Sequence, residues 1–201
     1  MTKLYLLIAI CLATVNIAHA DIPPDAQKAV TFTENSLKPA LNKILMIHKK
    51  PDIDPVIKTK FYNEIIFPFF DYSVTARLTL GKEQWEKLTE NQKERFINLF
   101  GRRLQNFYLH RLLLLQPDTK ILFINIIQEQ NKGVVNTELE SSYTKTNKEV
   151  QYKIKYSDEK WKIYDIEIKG VSILKNYREQ FGHLLKQGTI EELLNTLEDS
   201  Q

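Results

Sequence analysis

The chain has 201 residues, with 28 basic and 25 acidic side chains, a net charge of +3 and 43% hydrophobic residues. So near a balance lacks the basic stripe that marks a nucleic-acid binder, and the length suits one domain with a real core. The lone cysteine, Cys11, rules out an internal disulfide framework.

Lys3 precedes an apolar run from Leu4 to Ala13, and Ala18-His19-Ala20 follows it. This is the pattern of a secretory signal peptide with a small-residue cleavage site, so residues 1–20 are expected to be removed and the exported chain to begin at Asp21. The run falls short of the roughly 20 apolar residues that span a bilayer. Ile10 stands before Cys11 where lipidation needs a small residue, so no lipid anchor is expected. Cleavage removes the only cysteine and leaves a single domain over residues 21–201, with a charge of +2.

After Pro23-Pro24, Ala26, Val30, Leu37, Leu41, Ile44 and Leu45 recur at helical spacing, with Pro39 as a kink or break. Asp54-Pro55 reads as an N-cap followed by proline at the first helical position, and Ile57, Phe61 and Ile65 then fall four apart on one face. Pro68 interrupts this helix. Asp71 caps the next one, which runs through Tyr72, Val74, Ala76 and Leu78 to Gly81. Thr89 and Gln92 form a capping box that opens a long helix with Phe96, Phe100, Leu104 and Phe107 on one face. That helix closes in Leu112 to Leu115 before Pro117, and four consecutive leucines predict a last turn buried all round.

From Lys120 the period changes to that of strands: Ile121 to Gln128, Val134 to Tyr143, Val150 to Tyr156 and Trp161 to Ile168, joined by short polar turns. Alternation of Val150, Tyr152, Ile154 and Tyr156 with Gln151, Lys153 and Lys155 predicts one apolar and one wet face. Two helices end the chain. One runs from about Val171 to Gln187 with Leu174, Tyr177, Phe181, Leu184 and Leu185 inward; the other opens at a second capping box, Thr189 to Glu192. The expected fold is α+β, a four-stranded antiparallel meander with helices packed around it.

Catalytic and metal motifs are lacking. His48, His110 and His183 are too scattered for a paired-ligand motif, and there is no G-x-S-x-G, no phosphate-cradling glycine loop and no C-x-x-C. His110 has no identifiable orienting partner for work as a general base. Asp71 is explained by its cap, and Asp165 by a structural hydrogen bond. What stands out is apolar surface that one face of an element cannot bury: Phe67, Phe69, Phe70 and Tyr72, then Leu112 to Leu115, then Ile121 to Ile127. A filled core accounts for these patches more simply than a pocket does, so the pattern alone does not establish a ligand.

Two stretches carry more information. Ile66-Phe67-Pro68-Phe69-Phe70-Asp71-Tyr72-Ser73-Val74-Thr75-Ala76-Arg77-Leu78-Thr79-Leu80-Gly81, followed by Trp85 and the Gln92/Phe96/Phe100 helix, resembles the signature of the MlaC, or toluene-tolerance, family. Trp161 to Ile166, then Gly170-Val171-Ser172, Tyr177, Arg178 and Phe181, continue the resemblance. The region before Pro55 is only loosely similar, and the lysine content and tyrosine-rich strands depart from better-known members.

The resemblance implies a periplasmic carrier of phospholipid, not an enzyme, holding lipid as cargo with no cofactor and no metal. It implies exchange with an outer-membrane lipoprotein complex and an inner-membrane ABC transporter bearing an MCE-domain ring, maintaining outer-membrane lipid asymmetry, and a monomeric protein with no nucleic-acid partner. On that reading the acyl chains are expected against Phe67, Phe70, Val74 and Leu78, then Phe107 and Leu112, then Phe123, Tyr152, Ile154, Tyr164 and Ile166, with Val171 and Leu174 at one rim. Two rivals remain: an enzyme using Asp71 or His110 in the same pocket, and an adaptor or chaperone that shows an open apolar surface to proteins.

Overall fold

The computed structural model describes residues 28–50, 52–143 and 147–199. The expected signal peptide lies outside the described residues. Eight α-helices and five strands follow in chain order among them.

α1 (Lys28–Phe32) and α2 (Lys38–His48) form one continuous rod through a π-helical turn at Thr33–Leu37. Pro39 has no N–H for the carbonyl four residues back, and just ahead of it the Lys38 N–H bonds to the Thr33 carbonyl instead. The wider turn absorbs the proline, so the helix bends its ladder without breaking.

α3 (Pro55–Ile65) starts at Asp54, whose carboxylate accepts from the Val56 N–H at 2.7 Å. It turns its predicted apolar stripe the other way: fully buried Tyr62 faces the protein, while Ile57 and Phe61 are 51% and 38% exposed. A 3₁₀ turn at Phe67–Phe69 takes Pro68, and Phe70 and Asp71 then pair with Ile163, the Asp71 N–H donating to the Ile163 carbonyl at 2.8 Å. Asp71 caps α4 (Tyr72–Leu80) through the Val74 N–H at 2.9 Å. Trp85 lies on a short α5 (Lys82–Lys87).

α6 (Glu90–Leu113) opens with the expected capping box at Thr89 and Gln92. Its first half is solid core: Phe100 meets Tyr177 at 5.1 Å and Phe181 at 5.2 Å between ring centroids. Such aromatic edges add about 1 kcal/mol per pair to burial. Its last turn is not buried all round, because Leu113 and Leu114 are exposed.

The sheet is antiparallel in sequence order: β1 (Lys120–Glu129), β2 (Lys132–Glu140), β3 (Lys148–Ser157), β4 (Lys160–Ile168) and β5 (Val171–Ser172). The fifth strand corrects the expected four. Lys169 and Gly170, at φ +50° and +77°, make a turn too tight for a helix start, so Val171 and Ser172 pair back onto β4. α7 therefore begins at Ile173 (Ile173–Gln187), and Leu184 on it is exposed rather than inward. α8 (Ile190–Asp199) buries Leu193, Leu194 and Leu197.

Two bulges shift the strands' parity. In β1 the register slips between Phe123 and Asn125, and in β3–β4 Lys153 pairs with Asp165 but Ile154 with Ile163, leaving Tyr164 unpaired. Consequently Trp161 and Ile163 point inward before the bulge and Ile166 after it.

Candidate functional site

Away from the aromatic core, the second half of α6 parts from the sheet and leaves a cavity of about 240 Å³. Close-packed interiors hold few voids larger than a water, and an engineered apolar void of about 150 Å³ already takes up apolar ligands. This space is therefore larger than a packing defect.

Four groups of residues make its wall. Leu41, Ile44 and Leu45 come from α2. Ile66, Phe67 and Phe70 come from the turn held on β4 by the Asp71–Ile163 hydrogen bond. Tyr108, Arg111 and Leu112 come from α6, with Leu114 to Gln116 and Thr119 beyond it. The sheet supplies Ile121, Leu139, Glu140, Lys148, Val150, Tyr152, Ile166 and Ile168, with Ser141 just past β2.

Inside, the wall is apolar and uncharged. Burial pushes the Tyr108 and Tyr152 hydroxyls well above their ordinary range, with the negative charge of Asp165 adding to the effect at Tyr108. Both therefore stay neutral at physiological pH. Charge is confined to the mouth, where exposed Arg111, Leu114 and Lys148 and half-buried Glu140 reach solvent.

Two polar clasps frame that mouth. His48, at the end of α2, places Nε2 2.6 Å from the Leu115 carbonyl and Nδ1 3.2 Å from the Tyr62 hydroxyl. Asp118 accepts from the Ser141 hydroxyl at 2.7 Å and the Ser142 N–H at 2.6 Å, tying the segment after α6 to the end of β2. Those serine hydrogen bonds hold the Asp118 carboxyl below the ordinary carboxylate range, at about 2.

Of the residues expected to meet lipid, Phe67, Phe70, Leu112, Tyr152 and Ile166 come together on this wall. The others lie off it. Ile154 is fully buried, its side chain against Gly133, where a Cβ would come within 3.2 Å. Val74 and Leu78 are half-buried on α4, and half-buried Phe107 stacks under Arg111 at 5.2 Å. Phe123 lies beneath the Lys38 ammonium at 5.3 Å. Tyr164 is the bulge residue; Val171 is 55% exposed, and Leu174 is buried with its N–H on Asp165 at 3.0 Å. The α2 leucines and isoleucine went unread as wall residues, although Leu41, Ile44 and Leu45 show helical spacing.

Neither Asp71 nor His110 lines the cavity. Asp165 accepts from Ser172 Oγ at 2.6 Å and the Leu174 N–H at 3.0 Å, and pairs with Lys153 at 3.1 Å. It is thus the joint between β4 and the start of α7. Among the described residues no cluster of three His, Cys, Asp or Glu is placed to hold a metal, and no helix is long and apolar enough to cross a membrane.

The family model described as MlaC protein matches residues 39–199. A solved structure of a phospholipid-binding protein from Ralstonia solanacearum, in complex with a phospholipid, has the same fold at a TM-score of 0.69 and 21% identity. The match covers 81% of this chain and 93% of that one. No curated protein matches in sequence.

Proposed function

Because the chain belongs to the MlaC family, we propose that it carries a phospholipid, with the acyl chains in the cavity and the headgroup at the mouth. One observation carries this reading: a largely apolar wall lines a space far larger than a packing void, with its charged side chains, Arg111, Glu140 and Lys148, gathered at the mouth. Each methylene left in water costs about 0.8 kcal/mol, so two chains of about 16 carbons would cost on the order of 25 kcal/mol bare. A carrier has to cover most of that surface, and no charged group deep in the wall is needed for it. The solved phospholipid complex of the same fold supports the assignment of ligand class.

The cargo is carried across the periplasm, between an outer-membrane lipoprotein complex and an inner-membrane ABC transporter with an MCE-domain ring, by a monomeric protein that works without catalysis. A lipid has to enter and leave past the segments that frame the mouth, so loading and release part the wall there. The enzyme alternative has little support: the lining groups with displaced pKa values are tyrosines held neutral, and the two candidate catalytic side chains point elsewhere.

The test is mass spectrometry of solvent extracts from protein purified without detergent. Diacyl phospholipid at a fixed molar ratio is expected. Extracts free of phospholipid, together with no uptake from vesicles, would overturn the carrier reading in favour of an adaptor.

A further inference from the structure

We propose that α3 and the chain leading into it form a surface that rests on an anionic lipid bilayer, bringing the cavity mouth against the membrane. The proposal rests on the carrier reading for its purpose, but its observations are separate. α3 keeps Tyr62 inward and leaves Val56, Ile57 and Phe61 in solvent, 76%, 51% and 38% exposed. Met46, on the adjoining α2, is 68% exposed, and Leu114, itself part of the cavity wall, is 58% exposed. Scattered apolar side chains on a surface are ordinary. The helix that carries three of these is tied to the chain beside the mouth through its buried side, because Tyr62 bonds His48 and His48 bonds the carbonyl of Leu115, the wall residue next to Leu114.

Charge selects the occupant. Between residues 43 and 60 the chain carries five lysines, Lys43, Lys49, Lys50, Lys58 and Lys60, of which half-buried Lys58 donates to the His48 carbonyl at 3.4 Å, against Asp52 and Asp54. Asp54 is engaged in capping α3, and Glu64 is the carboxylate at that helix's far end. Lysines around exposed aliphatic and aromatic side chains make the pattern of an interfacial helix: the apolar groups sink to the headgroup boundary while the ammonium groups stay among the phosphates. An acidic protein would answer the lysines but leave Val56, Ile57 and Phe61 unmatched. A bilayer answers both, and its headgroup plane is where the cargo begins and ends its journey.

The experiment is flotation of the protein with vesicles of phosphatidylethanolamine and phosphatidylglycerol, and with vesicles of phosphatidylcholine alone. Binding to the anionic vesicles that is released by high salt is expected, with little binding to the neutral ones. I57D/F61D and K49E/K50E should each weaken that binding by about tenfold, with co-purified phospholipid unchanged, since none of the four residues lines the cavity. A parent protein that does not float with anionic vesicles, or variants that float as the parent does, would overturn the proposal and leave this face to a protein partner. The phospholipid content of the parent is read separately, so failure of the carrier reading is not confused with failure of this one.

Discussion

His48 Nε2 lies 2.6 Å from the carbonyl oxygen of Leu115, joining the end of α2 to the segment that leaves the long helix beside the cavity mouth. A carbonyl can only accept, so Nε2 carries the hydrogen and Nδ1 is left to accept from the Tyr62 hydroxyl at 3.2 Å. One imidazole thus holds three segments together, and two of them, α2 and the chain after α6, supply cavity wall.

Parting of the wall along this seam predicts that His48→Ala releases lipid faster. The substitution orphans the buried Tyr62 hydroxyl, a loss of about 1 to 3 kcal/mol, and frees the Leu115 segment. Transfer of a fluorescent phospholipid to acceptor vesicles should accelerate, with a lower melting temperature. An unchanged transfer rate in a destabilised variant would place the opening elsewhere.

Filling the cavity should separate binding from folding. Val150→Phe and Leu112→Trp add bulk where there is room, so the lipid-free variants should melt near or above the lipid-free parent and take up no phospholipid. Ile154→Trp is the contrast: it inserts into a filled site against Gly133, where overpacking costs about 1 to 3 kcal/mol. Thermal unfolding of all three, with lipid uptake from vesicles, reads the difference. If Val150→Phe binds lipid like the parent, the chains do not occupy this space.

Asp165→Ala should be among the most destabilising single changes. It strands the Ser172 hydroxyl and the Leu174 N–H at the β4–α7 joint, while Lys153 keeps its second carboxylate, Glu167, at 2.8 Å. Leaving a buried donor without its acceptor costs about 1 to 3 kcal/mol, and two are left here. Urea unfolding should show the loss, with Asp165→Asn milder because the amide oxygen still accepts. A midpoint unchanged by Asp165→Ala would contradict the structural role given to this carboxylate.

Asp118 sets the acid limit of the second clasp. Its carboxyl is depressed to about 2 by hydrogen bonds from Ser141 and Ser142, so the clasp's contribution is fully present above the unfolded carboxyl's range and is lost as pH falls through the folded value. A carboxyl-carbon NMR titration should find the low midpoint, and Ser141→Ala should raise it. A midpoint in the ordinary carboxylate range would mean the serines do not hold this residue in solution.

Much of the fold was legible from local chemistry. Both threonine capping boxes, the Asp54 and Asp71 caps, the strand period and the polar turns are rules about neighbouring residues, and each is seen in place. The family resemblance rested on the same stretches, and the Asp165 and Ser172 of its second motif prove to be a joint rather than a chemical centre.

Tertiary structure decided what those elements face. A period of 3.6 or 2 tells which side chains share a side but not what lies opposite, so the Ile57–Phe61–Ile65 stripe reads as core until Tyr62 is seen to take that place. Where a bulge adds one residue, every later side chain changes sides: Ile166 lines the cavity while Tyr164, two residues earlier and of the same parity, does not. An apolar side chain against a void and one against a neighbour obey the same pattern, because both have left water. The emptiness beside Leu41, Ile44 and Val150 exists only where distant segments fail to meet.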